Sequence, residues 1–67
     1  MRVGIIGAGQ AGGRHAAGFA ATGEATLAGV ADLSLERASK LAEQYGARAY
    51  ADWRALLEEP LDILVVC

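Results

Sequence analysis

Residues 2–15, "RVGIIGAGQAGGRH", set a short run of strand-forming residues directly against a cluster of glycines. Val3 to Ile6 reads as a first strand, and Gly7, Gly9, Gly12 and Gly13 follow it at once. Glycine weakens helices and strands alike, because it loses the most backbone freedom on folding. Its repeated use here needs a cause. The spacing Gly7-x-Gly9-x-x-Gly12, placed where a strand gives way to a helix, supplies one. The first glycine permits a tight turn, the second lets a pyrophosphate approach the backbone, and the third lets the helix pack closely on the strand. A helix starting from such a turn aims unpaired N–H groups and the positive end of its dipole at an anion.

The rest of the chain continues the alternation. Residues 11–22 form an alanine-rich helical stretch, with Gly23 placed as its terminator. Thr26 to Ala31 is a second apolar run that stops at Asp32. In "SLERASKLAEQYG", residues 34–46, Ser34 is placed as an N-cap and Gly46 as the C′ residue. Leu35, Ala38, Leu41, Ala42 and Tyr45 recur between them at helical spacing and make one apolar face. "ARAY", 47–50, reads as a short third strand, and Asp52 caps a brief helix through Leu57. Ile63 to Cys67 is a continuous apolar run, as expected of a strand covered on both faces. No hairpin turn of the Asn-Gly or Asp-Gly type interrupts the series. The expected fold is α/β, a partial Rossmann (doubly wound) fold: a parallel sheet of about four strands in the order 3-2-1-4, with flanking helices.

Composition excludes several classes of function. Sixty-seven residues make at most one domain, burying only about 60% of the unfolded surface. The chain is 54% hydrophobic, with fifteen alanines, which argues against disorder. A net charge of −2 with six scattered basic residues is not a nucleic-acid footprint. No segment approaches a membrane span, and Met1-Arg2-Val3 leads into a strand rather than a signal peptide, so a cytoplasmic location is expected. The single Cys67 excludes an internal disulfide framework and a cysteine-cluster metal site, and reads as a small buried hydrophobe.

Asp32 sharpens the glycine signal. It lies twenty residues after Gly12 at the end of the second strand, where an acid receives the ribose hydroxyls of an adenosine. The plainer use of such an aspartate is a turn or cap before the next helix. An acid there favours NAD, since it repels a 2′-phosphate. Arg37, five residues on, leaves NADP open, although a solvent-facing charge on the second helix is the plainer reading. FAD and S-adenosylmethionine sites also use glycine turns followed by an acid. Arg14 reads as an exposed first-turn cation. His15 shares a helix face with Gly12 and Phe19 and reads first as a packed histidine, next as a neighbour of the cofactor and last as a catalytic group. Trp53 reads as the anchor that buries the short helix on the sheet.

Taken together, "VGIIGAGQAGGRHAAGFA" and "GVADLSLERASKLAEQYGARAYADWRALLEEPLDILVVC" resemble the start of the glucose–fructose oxidoreductase / inositol dehydrogenase (Gfo/Idh/MocA) family. The resemblance spans essentially the whole chain and includes a histidine three residues after the last glycine of the motif. It implies an NAD(P)-dependent oxidoreductase acting on sugars, inositols or related polyols by hydride transfer. Carried over residue by residue, it puts Gly7, Ala8 and Gly9 beside the pyrophosphate. It does the same for Gln10, Ala11 and Gly12, and it puts Asp32 at the adenosine ribose.

The family's next segments are a Thr-Pro-type turn, a Glu-Lys-Pro motif and a second α/β domain for the substrate, none of which lies in these residues. Residues 1–67 are therefore expected to be the N-terminal part of a dinucleotide-binding domain. No catalytic residue, no metal ligand and no dehydrogenase activity are expected of them alone. The Ile63–Cys67 strand is expected to present an open edge that favours self-association. Two alternatives stand beside this reading: a non-catalytic dinucleotide-binding module, and a piece of a flavoprotein or S-adenosylmethionine-dependent enzyme.

Overall fold

The computed structural model describes residues 1–67. The elements alternate along the chain: β1 (Arg2–Ile6), α1 (Gln10–Thr22), β2 (Thr26–Ala31), α2 (Leu35–Tyr45), β3 (Arg48–Tyr50), α3 (Trp53–Leu56) and β4 (Ile63–Val66). The strands form one sheet in the order β3-β2-β1-β4, with every pair parallel. The expected α/β partial Rossmann fold is therefore the observed one.

The helix boundaries follow from local chemistry. Ser34 Oγ accepts the Arg37 N–H at 3.3 Å and starts α2, and Asp52 Oδ1 accepts the Arg54 N–H at 2.9 Å and starts α3. Gly23 and Gly46 end α1 and α2 in the left-handed conformation, which glycine adopts without a Cβ penalty.

The core lies on one face of the sheet. Val3, Ile5, Leu27 and Val30 pack there against Ala16 of α1 and Ala38, Leu41 and Ala42 of α2. Alanine is five of the eleven buried hydrophobic residues, so the helices come close but bury little area each. The opposite face carries only α3 and the segment leading into β4. Leu56 is fully buried there, and a Cβ on Gly4 or Gly29 would press into its methyl groups. Glu59 pins the segment beneath: Oε2 accepts the Tyr50 hydroxyl at 2.6 Å, and Oε1 pairs with Arg2 at 3.0 Å.

Four expectations are corrected. Trp53 does not anchor α3; it is 48% exposed, and Leu56 does that work. His15 is exposed, because helical phase puts Ala16 rather than His15 in line with Gly12. The β4 strand is not covered on both faces: Leu64 is exposed and Val66 is 71% exposed, since the four residues of α3 do not reach over them. Cys67 is exposed rather than buried, and follows the last strand residue.

Candidate dinucleotide-binding site

The sheet order reverses between β1 and β4: the chain steps from β1 to β2 to β3 in one direction, then returns to β1's other side. In open α/β sheets, ligands bind beyond the strand ends at such a reversal. The glycine loop lies there, between the last residue of β1 and the first of α1.

Three glycines of the loop meet different constraints. Gly7 has φ +105°, a conformation L side chains rarely adopt, and its N–H donates to Ala31 C=O at 2.7 Å. Gly12 is buried, and a Cβ there would collide with the Gly7 carbonyl oxygen. Helix α1 can sit this near β1 only because residue 12 has no side chain. Gly9 differs from both. It has φ −78°, and a Cβ built on it would meet nothing within 4 Å. Neither the fold's backbone nor its packing requires glycine at position 9, whereas a ligand closing on the loop would.

Gly9 is also the N-cap of α1, and it lacks what caps the other two helices. No side chain bonds to this terminus, and no acidic residue lies in its first turn. The first bond of the helix ladder runs from Gly13 N–H to Gly9 C=O at 2.9 Å. The N–H groups of Gln10, Ala11 and Gly12 precede that ladder and point out of the helix end. Gln10 is exposed and Ala11 half-buried.

Asp32 joins this loop to the end of β2. Its Oδ2 accepts the Ala8 N–H at 2.8 Å, and its Oδ1 accepts the Ser34 N–H at 2.8 Å. These two bonds hold the Asp32 carboxyl below the usual carboxylate range, Ala8 foremost, with a small contribution from the charge of Arg37. The plain turn-forming use of the aspartate is thus real, and one oxygen serves it. The other reaches the glycine loop. All seven residues expected at the site stand together at the carboxyl ends of β1 and β2. Arg14 and Arg37 are exposed.

One neighbour was missed. Cys67 lies on the other flank of the loop, its N–H donating to Ile6 C=O at 2.9 Å, and a Cβ on Gly7 would stand 3.1 Å from the Cys67 Cβ. Position alone gives it away, as the residue following a strand paired with β1.

A glycine loop at the reversal point, an uncapped helix terminus and an acid closing the second strand are features of a dinucleotide-binding α/β fold. The chain matches, over residues 1–67, the Gfo/Idh/MocA family model, described as an oxidoreductase family with an NAD-binding Rossmann fold, and it belongs to that family. It is 35% identical over 69 residues to the myo-inositol 2-dehydrogenase of Thermotoga maritima, a match covering all of this chain and 21% of that protein. It is 44% identical over 59 residues to the UDP-N-acetylglucosamine 3-dehydrogenase of Acidithiobacillus ferrooxidans, covering 88% of this chain and 18% of that one. Among solved structures, GenD2 from gentamicin A biosynthesis, in complex with NAD, superposes with a TM-score of 0.95 at 28% identity, over all of this chain and 20% of the other. The chain thus spans about a fifth of the length of these relatives, and the fold of the family it belongs to is NAD-binding. No helix is long and apolar enough to cross a membrane.

Proposed function

We propose that residues 1–67 are the adenosine-binding part of an NAD-dependent oxidoreductase whose substrate is a sugar, an inositol or a related polyol. In this reading the backbone of Gly7, Ala8 and Gly9 and the helix start at Gln10, Ala11 and Gly12 border the pyrophosphate. The Asp32 carboxylate accepts hydrogen bonds from the adenosine ribose hydroxyls. The observation that carries it is the open space above Gly9 at an uncapped helix terminus. Bound there, the cofactor supplies hydride transfer at its nicotinamide; this chain's residues bind and orient its other end. Asp32 is held ionised by two N–H donors, which favours NAD over NADP, because a 2′-phosphate would face that charge.

The substrate class rests on the relatives, an inositol dehydrogenase and a UDP-N-acetylglucosamine dehydrogenase. Hydride transfer needs a substrate held at near-attack distance. In this reading the acid at the loop, Asp32, serves the ribose at the adenosine end of the cofactor, away from the nicotinamide that carries the hydride. The chain by itself therefore binds cofactor without turning substrate over. Calorimetric titration with NAD, NADP and ADP tests this, in the wild type and in Asp32→Ala. NAD and ADP are expected to bind, NADP at least about tenfold more weakly, with Asp32→Ala losing most of the affinity. A folded chain that binds none of the three would overturn the reading.

A further inference from the structure

Strand β3 holds Asp32 by its main chain. The Asp32 N–H donates to Tyr50 C=O at 3.0 Å, one residue past the pair Ala31–Tyr50 that ends the β2–β3 ladder. Yet β3 is three residues long and lies at the edge of the sheet, with β2 as its one partner strand. The end of so short an edge opens easily. The Tyr50 side chain counters that. Its ring lies diagonally across β2 on the face that carries α3, over Gly29, where a Cβ would stand 3.1 Å from Tyr50 Cε2 and 3.2 Å from Glu59 Oε2. The hydroxyl donates to Glu59 Oε2 at 2.6 Å. The Glu59 side chain is only 13% exposed, and its Oε1 accepts Arg2 Nη2 at 3.0 Å. Arg2 belongs to β1, and its Nε donates to Pro60 C=O at 2.8 Å. The tie thus runs from β3 across β2 to β1.

We propose that the Tyr50–Glu59 hydrogen bond is a latch that fixes Asp32 for the ribose and so sharpens the choice of NAD over NADP. Tyr50 and Glu59 are then positioning residues, acting through Asp32 rather than on the cofactor. The inference rests on the reading that Asp32 binds the adenosine ribose. A binding group works only when supporting contacts hold it to within about 0.5 Å. Ala8 and Ser34 fix the rotation of the Asp32 carboxylate, and the bond to Tyr50 C=O fixes its main chain to the last rung of the ladder. Holding that rung in place is the work of the latch, since the hydrophobic core lies on the other face of the sheet. A carboxylate can only accept, so the phenol must donate. The bond to Glu59, with burial, pushes the Tyr50 hydroxyl above its usual range, which keeps that donor through neutral pH.

Tyr50→Phe removes the hydroxyl and keeps the ring, and Glu59→Ala removes the acceptor from the other side. Each should weaken NAD by about three- to tenfold in calorimetric titration. NADP, which gains nothing from a well-placed Asp32, should stay within about twofold of its wild-type affinity, so the preference for NAD narrows. Hydrogen exchange at the Asp32 amide should quicken by about three- to tenfold in the same variants, without any cofactor present. The double variant should lose no more than Glu59→Ala alone, because both changes remove one bond. A merely structural role would lower the melting temperature and weaken NAD and NADP in parallel, and that result would overturn the proposal. Wild-type NAD affinity, NADP affinity and Asp32 exchange in both single variants would overturn it too, and leave the ribose reading standing. A wild-type chain that binds neither NAD nor ADP overturns that reading and this inference with it.

Discussion

The Ala8 N–H donates to Asp32 Oδ2 over 2.8 Å, across twenty-four residues of sequence. The contact ties the loop that follows β1 to the acid that ends β2. With Ser34 N–H on the other oxygen, the carboxylate is fixed in rotation as well as position. The glycine loop and the acid at the end of β2 are therefore one rigid unit. Removing the acid disturbs the loop as well.

This geometry sets a pH dependence. The two N–H donors lower the folded-state pKa of Asp32. A carboxyl with a depressed folded pKa stabilises the fold fully above its unfolded value of about 3.9, and that contribution is lost as pH falls through the folded value. Melting temperatures of wild type and Asp32→Asn should differ by a constant amount above about pH 5 and converge below about pH 4. A gap that widens on acidification would contradict the assignment.

Leu56 and Trp53, three residues apart on α3, should behave oppositely. Leu56→Ala empties the one fully buried contact beneath Gly4 and Gly29 and is expected to cost about 2–4 kcal/mol in urea unfolding. For so small a core that is a large share of the total. Trp53→Ala should cost under about 1 kcal/mol, because half of the side chain already faces water.

Gly7 carries a conformational constraint that Gly9 does not. A left-handed backbone costs an L residue about 1–2 kcal/mol, so Gly7→Ala should lower stability by at least that much. The new methyl would also crowd Cys67 at 3.1 Å. A Gly7→Ala chain as stable as wild type would show that the loop adopts another path.

The β4 strand pairs with β1 on one side only. In residues 1–67 taken alone, its free edge and the exposed Val66 favour association between copies. Sedimentation should show a mean mass that rises with concentration in the wild type, and less so in Val66→Lys. A concentration-independent monomer would contradict this.

Much of this was legible in the sequence because local chemistry and hydrophobic period agreed. Ser34, Asp52, Gly23 and Gly46 mark helix ends with side-chain oxygens or left-handed backbone, and each does so where expected. Asp32 was legible from its distance to the glycines. What could not be read was which apolar residues the fold leaves uncovered. Three residues along a helix advance about 300° and four about 400°, so Ala16 falls nearer the line of Gly12 than His15 does. Trp53 looks like a core anchor by composition, yet α3 is only four residues long and leaves it half exposed. Cys67 and Val66 look like an interior strand, but burial on that face depends on what lies beyond four residues of helix.

The most direct test concerns Gly9. Its backbone conformation suits alanine, and a Cβ there meets nothing within 4 Å. Gly9→Ala should therefore fold and melt like the wild type, while its NAD affinity falls by at least about tenfold, because the methyl occupies the space the pyrophosphate needs. A Gly9→Ala chain of unchanged stability that binds NAD as tightly as the wild type would contradict a phosphate seated at this loop.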